Sequence, residues 1–175
     1  GKDFRILNLK EEATEDKTEI LLLGNLLSFY EQLRVFEDQT DELRPYYLEK
    51  PLWVFVGSSV NAVYSENRQK RSDVLTVARF LHRLLENKQG WVVKAIHKIL
   101  AGKSGLVTPD GQDIFAEKFA CLRDVGLDAE DAYRDILAKV LHTSTGGGLH
   151  LCDMRGHPGE LGLRASGAQE YFGLI

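Results

Sequence analysis

Cysteine is scarce: Cys121 and Cys152 are the only two in 175 residues. A disulfide framework needs more of them in a shorter chain, so both read as reduced thiols and the expected setting is a cytosol. Long apolar runs are missing. None approaches the roughly 18 residues that a bilayer-crossing helix requires, which excludes a membrane partner of that kind. The opening Gly1-Lys2-Asp3-Phe4 leads into no apolar stretch long enough for a signal peptide. No initiator Met is present, so the chain is expected to start inside a longer protein. Internal repeats and low-complexity tracts are absent as well. A large excess of one charge is also lacking: the formal net charge is −4, which taken alone argues against nucleic acid as a partner. What remains is ordinary for a globular protein, with 43% hydrophobic and 27% charged residues, enough to build a core.

The charge is unevenly spread. Residues 1–50 carry 7 basic and 12 acidic groups, residues 51–105 carry 9 and 3, and residues 106–175 carry 6 and 11. The middle third is a basic island in an acidic chain, and a local field of that sign attracts phosphates even when the total charge is negative. The competing reading is a solvated helix face.

Periodicity outlines the elements. Phe4 to Leu9 suits a short strand. Thr14, Asp16 or Thr18 suits a helix cap, with Glu15 and Glu19 favoured by the helix dipole. Ile20, Leu23, Leu26, Leu27, Tyr30, Leu33 and Phe36 recur at three and four, predicting one amphipathic helix to about Asp38 that tolerates Gly24. Pro45 ends any continuation. Leu52-Trp53-Val54-Phe55-Val56 is apolar throughout, β-branched and aromatic, the pattern of a strand buried on both faces of a parallel sheet. Gly57-Ser58-Ser59 turns the chain at its C-terminal end, the edge where open α/β sheets bind ligands. Residues 64–71 read as a polar loop. Ser72 is expected to cap a helix with Val74, Val77, Leu81, Leu84 and Leu85 inward, broken at Asn87 to Gly90. A second helix runs from about Trp91 to Ala101, with Gly102 at its C′ position. Thr108-Pro109-Asp110-Gly111 signals a turn. Asp113 opens a helix through Phe115, Phe119 and Leu122, and Asp128 opens another through Val140. The alternating stretches Leu149 to Met154 and Glu160 to Ala165, joined by Gly156-His157-Pro158-Gly159, predict a β-hairpin. Tyr171 to Ile175 reads as a further strand.

Three patterns invite chemistry and are set against simpler readings. Gly102-Lys103-Ser104 imitates the end of a phosphate-binding loop, but the position five before Gly102 is His97 and the preceding segment is helical. His150, Cys152 and His157 invite a metal, with His150 and Cys152 on one strand face. Zinc wants paired spacings that are missing here, and Cys121 and His142 would have to come from elsewhere. Glu130 and Asp131 sit at a helix start, where the dipole explains them. No catalytic residue and no metal ligand is assigned. The basic island is the best candidate site: Arg68, Lys70 and Arg71 cluster ahead of a helix on which Arg79 and Arg83, at i and i+4, share a face. With Ser58 and Ser59 these could grip a phosphate backbone with little base readout.

At this point the residues become familiar. Lys50-Pro51-Leu52-Trp53-Val54-Phe55-Val56-Gly57 and Ser72-Asp73-Val74-Leu75-Thr76-Val77-Ala78-Arg79-Phe80-Leu81-His82 resemble the Res subunit of type III restriction enzymes and related DEAD/DEAH-box helicase-like proteins. So do Gly147 to Asp153, Glu160 to Gly167 and Tyr171 to Ile175. The resemblance covers about residues 50–175. It implies an α/β fold: a helix-rich fragment of a RecA-like helicase second domain with a small sheet and a β-hairpin. Residues 1–49 would be a helical connector from a preceding domain, and 50–175 a partial second domain with a helical insertion at about 88–166.

In that family two RecA-like domains clamp ATP and walk along duplex DNA. Leu52 to Val56 with its Gly57-Ser58-Ser59 turn looks like helicase motif IV, which touches the nucleic-acid backbone. The phosphate loop, the acidic motif, the arginine-finger motifs and any nuclease motif are missing from these 175 residues. ATP and Mg2+ are therefore implied for a parent protein and no cofactor for this piece. The implied partners are duplex DNA and, under an alternative reading as a protein-docking insertion, a modification subunit.

Overall fold

A computed structural model describes residues 9–11, 14–56, 64–66, 69–71, 73–154 and 156–174, with 64–66 and 69–71 described by backbone alone. Among these the chain is mostly helical, with six α-helices and a small three-stranded antiparallel sheet. It divides into two compact units, one comprising 1–52 and 93–132, the other 53–92 and 133–175.

In the first unit, α1 (Glu15–Asp38) begins where Thr14 accepts a hydrogen bond from the Lys17 amide and ends at Gln39. The centre of the predicted stripe is buried, with Leu23, Leu26, Leu27, Tyr30 and Leu33 at most 1% exposed, and Ile20 and Phe36 at its ends are half-buried. That spacing lines one helix face, and its burial supplies most of the helix's stability. A short α2 (Thr40–Leu43) and a 3-10 turn through Arg44–Tyr46 follow, so Pro45 sits just inside a new turn. The helix α4 (Trp91–Leu100), of which residues 93–100 belong to this unit, ends as its sequence dictates. Gly102 takes φ +66°, its amide reaches the Ile99 carbonyl, and the Lys103 amide reaches that of Lys98. This is a glycine-terminated helix cap.

The turn at 108–111 is present and brings Val107 opposite Asp113. The helix expected from Asp113 starts later, as α5 (Ala120–Asp124). Asp113 spends its carboxylate on the Phe115 amide and the Ser104 hydroxyl, and Phe119 adopts a left-handed conformation that interrupts any helix. Asp128 opens α6 (Ala129–Lys139) as expected, accepting from the Asp131 amide at 2.8 Å.

In the second unit, β1 (Tyr64–Glu66) and β2 (Gln69–Arg71) form a two-stranded antiparallel ribbon where a loop was expected. It leads to α3 (Asp73–Glu86), which buries Phe80, Leu81, Leu84 and Leu85, whereas Val74 and Val77 are only half-buried. The break at 87–90 is as expected, with Asn87 and Gln89 left-handed. The hairpin is also as expected: β3 (Leu149–Asp153) pairs with β4 (Leu161–Ala165), Leu149 opposite Ala165. The final strand, β5 (Gly173–Leu174), pairs antiparallel to β4 on its other side.

A further expectation is overturned. Leu52 to Val56 is neither strand nor helix, and Leu52 and Val56 are 82% and 90% exposed. Among the described residues both sheets are antiparallel. The composition of that run fits a strand, but a strand needs a neighbour to complete its hydrogen-bond ladder, and composition cannot provide one. The coarse helix-rich architecture with a small sheet and hairpin is therefore observed, without a parallel sheet among the described residues.

Candidate nucleic-acid interface

The candidate residues lie in the second unit. Arg79 and Arg83 both sit on the exposed side of α3. The helix buries Phe80, Leu81, Leu84 and Leu85, so positions 79 and 83, one turn apart, are left for solvent. Lys70 and Arg71 belong to β2, where they pair with Ser65 and Tyr64. Ser58, Ser59 and Arg68 fall outside the described residues.

Arg83 has a second task. Its guanidinium lies 5.5 Å from the centre of the Trp91 ring, and Trp91 Nε1 donates to the Arg83 carbonyl at 3.1 Å. This pair fastens the end of α3 to the start of α4, and an exposed cation–π contact of this kind contributes about 0.5–1 kcal/mol. Arg79 is the candidate for which exposure on the helix face is the main structural fact.

His82, not a candidate from the sequence, lies between the two arginines on the exposed side of α3. Its Nδ1 accepts from the Leu149 amide at 3.3 Å, and its Nε2 stands 3.4 Å from a Glu86 carboxylate oxygen. The other Glu86 oxygen takes Lys88 at 3.0 Å. The i, i+4 spacing of His82 and Glu86 was visible in the sequence, but the contact with β3 was not.

The chemical alternatives find structural uses. Gly102-Lys103-Ser104 is the turn that ends α4: Ser104 donates to Asp113 and accepts from the Leu106 amide. Its amides close the helix, so the residues present do not fit an ATP phosphate. His150 Nε2 lies 2.9 Å from the Ser166 hydroxyl, which resembles a nucleophile–base pair. That hydroxyl also donates to the Gly148 carbonyl and accepts from the Gly148 amide. Its proton is committed to a backbone acceptor, and the arrangement clamps the start of β3 to the end of β4. His157 stands 3.8 Å from Glu160 across the hairpin turn. Both cysteines are free, and among the described residues no group of three or more His, Cys, Asp or Glu side chains could hold a metal.

Two clefts lie among the described residues. In the first unit a small one, about 140 Å³, lies beside Lys10, Glu11 and Lys17. A hydrogen bond from Lys17 at 2.6 Å, together with its charge, holds the Glu11 carboxyl below its ordinary range. In the second unit a polar cleft of about 360 Å³ lies between the 142–145 and 166–170 turns. There His142 Nδ1 stands 3.3 Å from Glu170 but out of line for a hydrogen bond. Glu170 gives that cleft a negative wall, unsuited to a phosphate.

Among the described residues no helix is long and apolar enough to cross a membrane. No family model matches this sequence, and neither a curated protein nor a solved structure matches it.

Proposed function

We propose that this chain is a segment of an ATP-dependent DNA translocase resembling the restriction subunit of a type III system, working in the cytoplasm. Its part is to contact the duplex backbone, not to perform ATPase chemistry. The supporting observation is the exposed pair Arg79 and Arg83 on one side of α3, with Lys70 and Arg71 in the ribbon just ahead of it. Guanidinium groups one helical turn apart suit successive phosphates and carry no base readout. ATP and Mg2+ belong to the parent protein in this reading, and the family resemblance supplies that parent. Leu52 to Val56 lends the reading no support, since the run is neither strand nor helix and Leu52 and Val56 are exposed.

The test is binding of the 175-residue chain to a random-sequence duplex, followed by fluorescence anisotropy across a salt series. Affinity should fall steeply with salt, by about 0.9 log units per log unit of salt for each phosphate contact. The variants Arg68→Glu with Arg71→Glu, and Arg79→Glu alone, should weaken binding and flatten that slope. Unchanged binding by both would reduce the basic island to a solvated face.

A second reading is favoured by a different observation. Tyr46, Tyr47, Leu48, Leu52, Val54 and Val56 are all more than half exposed. Exposed apolar side chains of this kind suit a docking module for a partner subunit. Co-purification with a modification subunit would support it, and loss of a docked partner on polar substitution at Leu52 and Val56 would locate the contact.

A further inference from the structure

Where the exposed side of α3 meets the beginning of β3, one imidazole has a different partner on each ring nitrogen. The Leu149 amide donates to His82 Nδ1, so that nitrogen carries a lone pair and the ring proton sits on Nε2. Nε2 faces the Glu86 carboxylate at 3.4 Å, which suits a donor. Lys88 holds the far oxygen of that carboxylate at 3.0 Å, and the acceptor stays in place. The partners thus select one neutral tautomer.

We propose that His82 is a proton-operated clasp: its neutral, Nε2-protonated form fastens the first residue of β3 to α3, and a second proton releases it. Protonation places an N–H on Nδ1 directly against the Leu149 N–H. Two donors then face each other with no acceptor between them, and the hydrogen bond is lost. The charged groups beside it on α3 are Glu86, one turn on, and Arg79 and Arg83, three positions before it and one after it. From the sheet come His150, already engaged by Ser166, and Arg164, which pairs opposite His150 in β4. None of these replaces the acceptor that Leu149 loses.

The release is local. The Gly147 amide still donates to the Leu85 carbonyl at 3.0 Å, and the Gly148 amide to Ser166 at 3.0 Å; neither partner titrates. One joint therefore opens while the joints beside it hold. The same proton adds a third positive group to the exposed side of α3. The clasp is independent of the DNA reading, because it concerns a hydrogen bond within the second unit.

The experiment is nuclear magnetic resonance on the 175-residue chain across roughly pH 5 to 8, the range in which imidazoles titrate. Long-range nitrogen–proton spectra report the His82 tautomer, and amide hydrogen exchange, corrected for intrinsic rates, reports Leu149. At the upper end His82 should be the Nε2–H tautomer with Leu149 protected. As His82 titrates, Leu149 protection should fall about fivefold, the factor that one ordinary hydrogen bond supplies, with Gly147 and Gly148 unchanged. In His82→Asn a side-chain carbonyl stands in for Nδ1 and cannot titrate, so Leu149 protection should no longer follow pH. An Nδ1–H tautomer at high pH overturns the proposal, as does Leu149 protection in the unaltered chain that ignores the His82 titration. The measurement on the unaltered chain decides the matter even if the variant fails to fold.

Discussion

Gly24 lies in the middle of α1, where alanine would gain about 1 kcal/mol of helix propensity. Its surroundings reverse that sign. The ring of Phe115 occupies the space a Cβ would need, and Phe115 is itself 8% exposed, with the Phe119 ring 5.7 Å away. The ring has little room to retreat. Overpacking of this kind costs about 1–3 kcal/mol, so Gly24→Ala is expected to destabilise the chain on balance, read as a lower denaturant midpoint with an unchanged slope. From the sequence, the glycine looked like a tolerated defect in a helix. Its reason became visible only when a residue 91 positions away was placed against it.

At the scale of elements, the helices with a clear apolar stripe and a clear cap were legible. Thr14, Asp128 and Gly102 each stand where their chemistry places them, and the alternation from Leu149 to Ala165 with its glycine–proline turn set both strands of the hairpin. Where a boundary depended on a distant group, legibility failed. α5 has no side-chain cap of its own; instead Glu31, from α1, accepts from the Cys121 and Leu122 amides at 3.0 and 3.3 Å. A helix start left without such an acceptor costs about 0.5–2 kcal/mol. Glu31→Ala should therefore lower the thermal midpoint and speed amide exchange at Cys121 and Leu122 before the rest of α1. Exchange there that matches the parent chain would show that Glu31 is not the cap. In the candidate interface, the shared exposed side of Arg79 and Arg83 followed from helical spacing. The engagement of Arg83 by Trp91 and of His82 by Leu149 did not, because each depends on how α3 meets the next element.

For the whole molecule, the decisive stretch is Leu52 to Val56. A strand buried on both faces would lose about 1.5–3 kcal/mol for each large apolar side chain moved out of its core. Exposed residues away from special features change stability by no more than about 0.5 kcal/mol. The double substitution Leu52→Ser with Val56→Ser is expected to leave the thermal unfolding of this chain within that small range. A loss of several kcal/mol would mean the run is packed in solution after all. By itself the sequence determined the amphipathic helices, their glycine and aspartate punctuation, the hairpin register region and the basic middle third. These follow from interactions reaching no more than a few residues along the chain. Tertiary structure alone decided that the most strand-like run joins neither a sheet nor a helix, that α5 begins at Ala120, and that His82 reaches β3. A hydrogen-bond ladder, a borrowed cap and a shared imidazole each need a partner whose position no local pattern encodes.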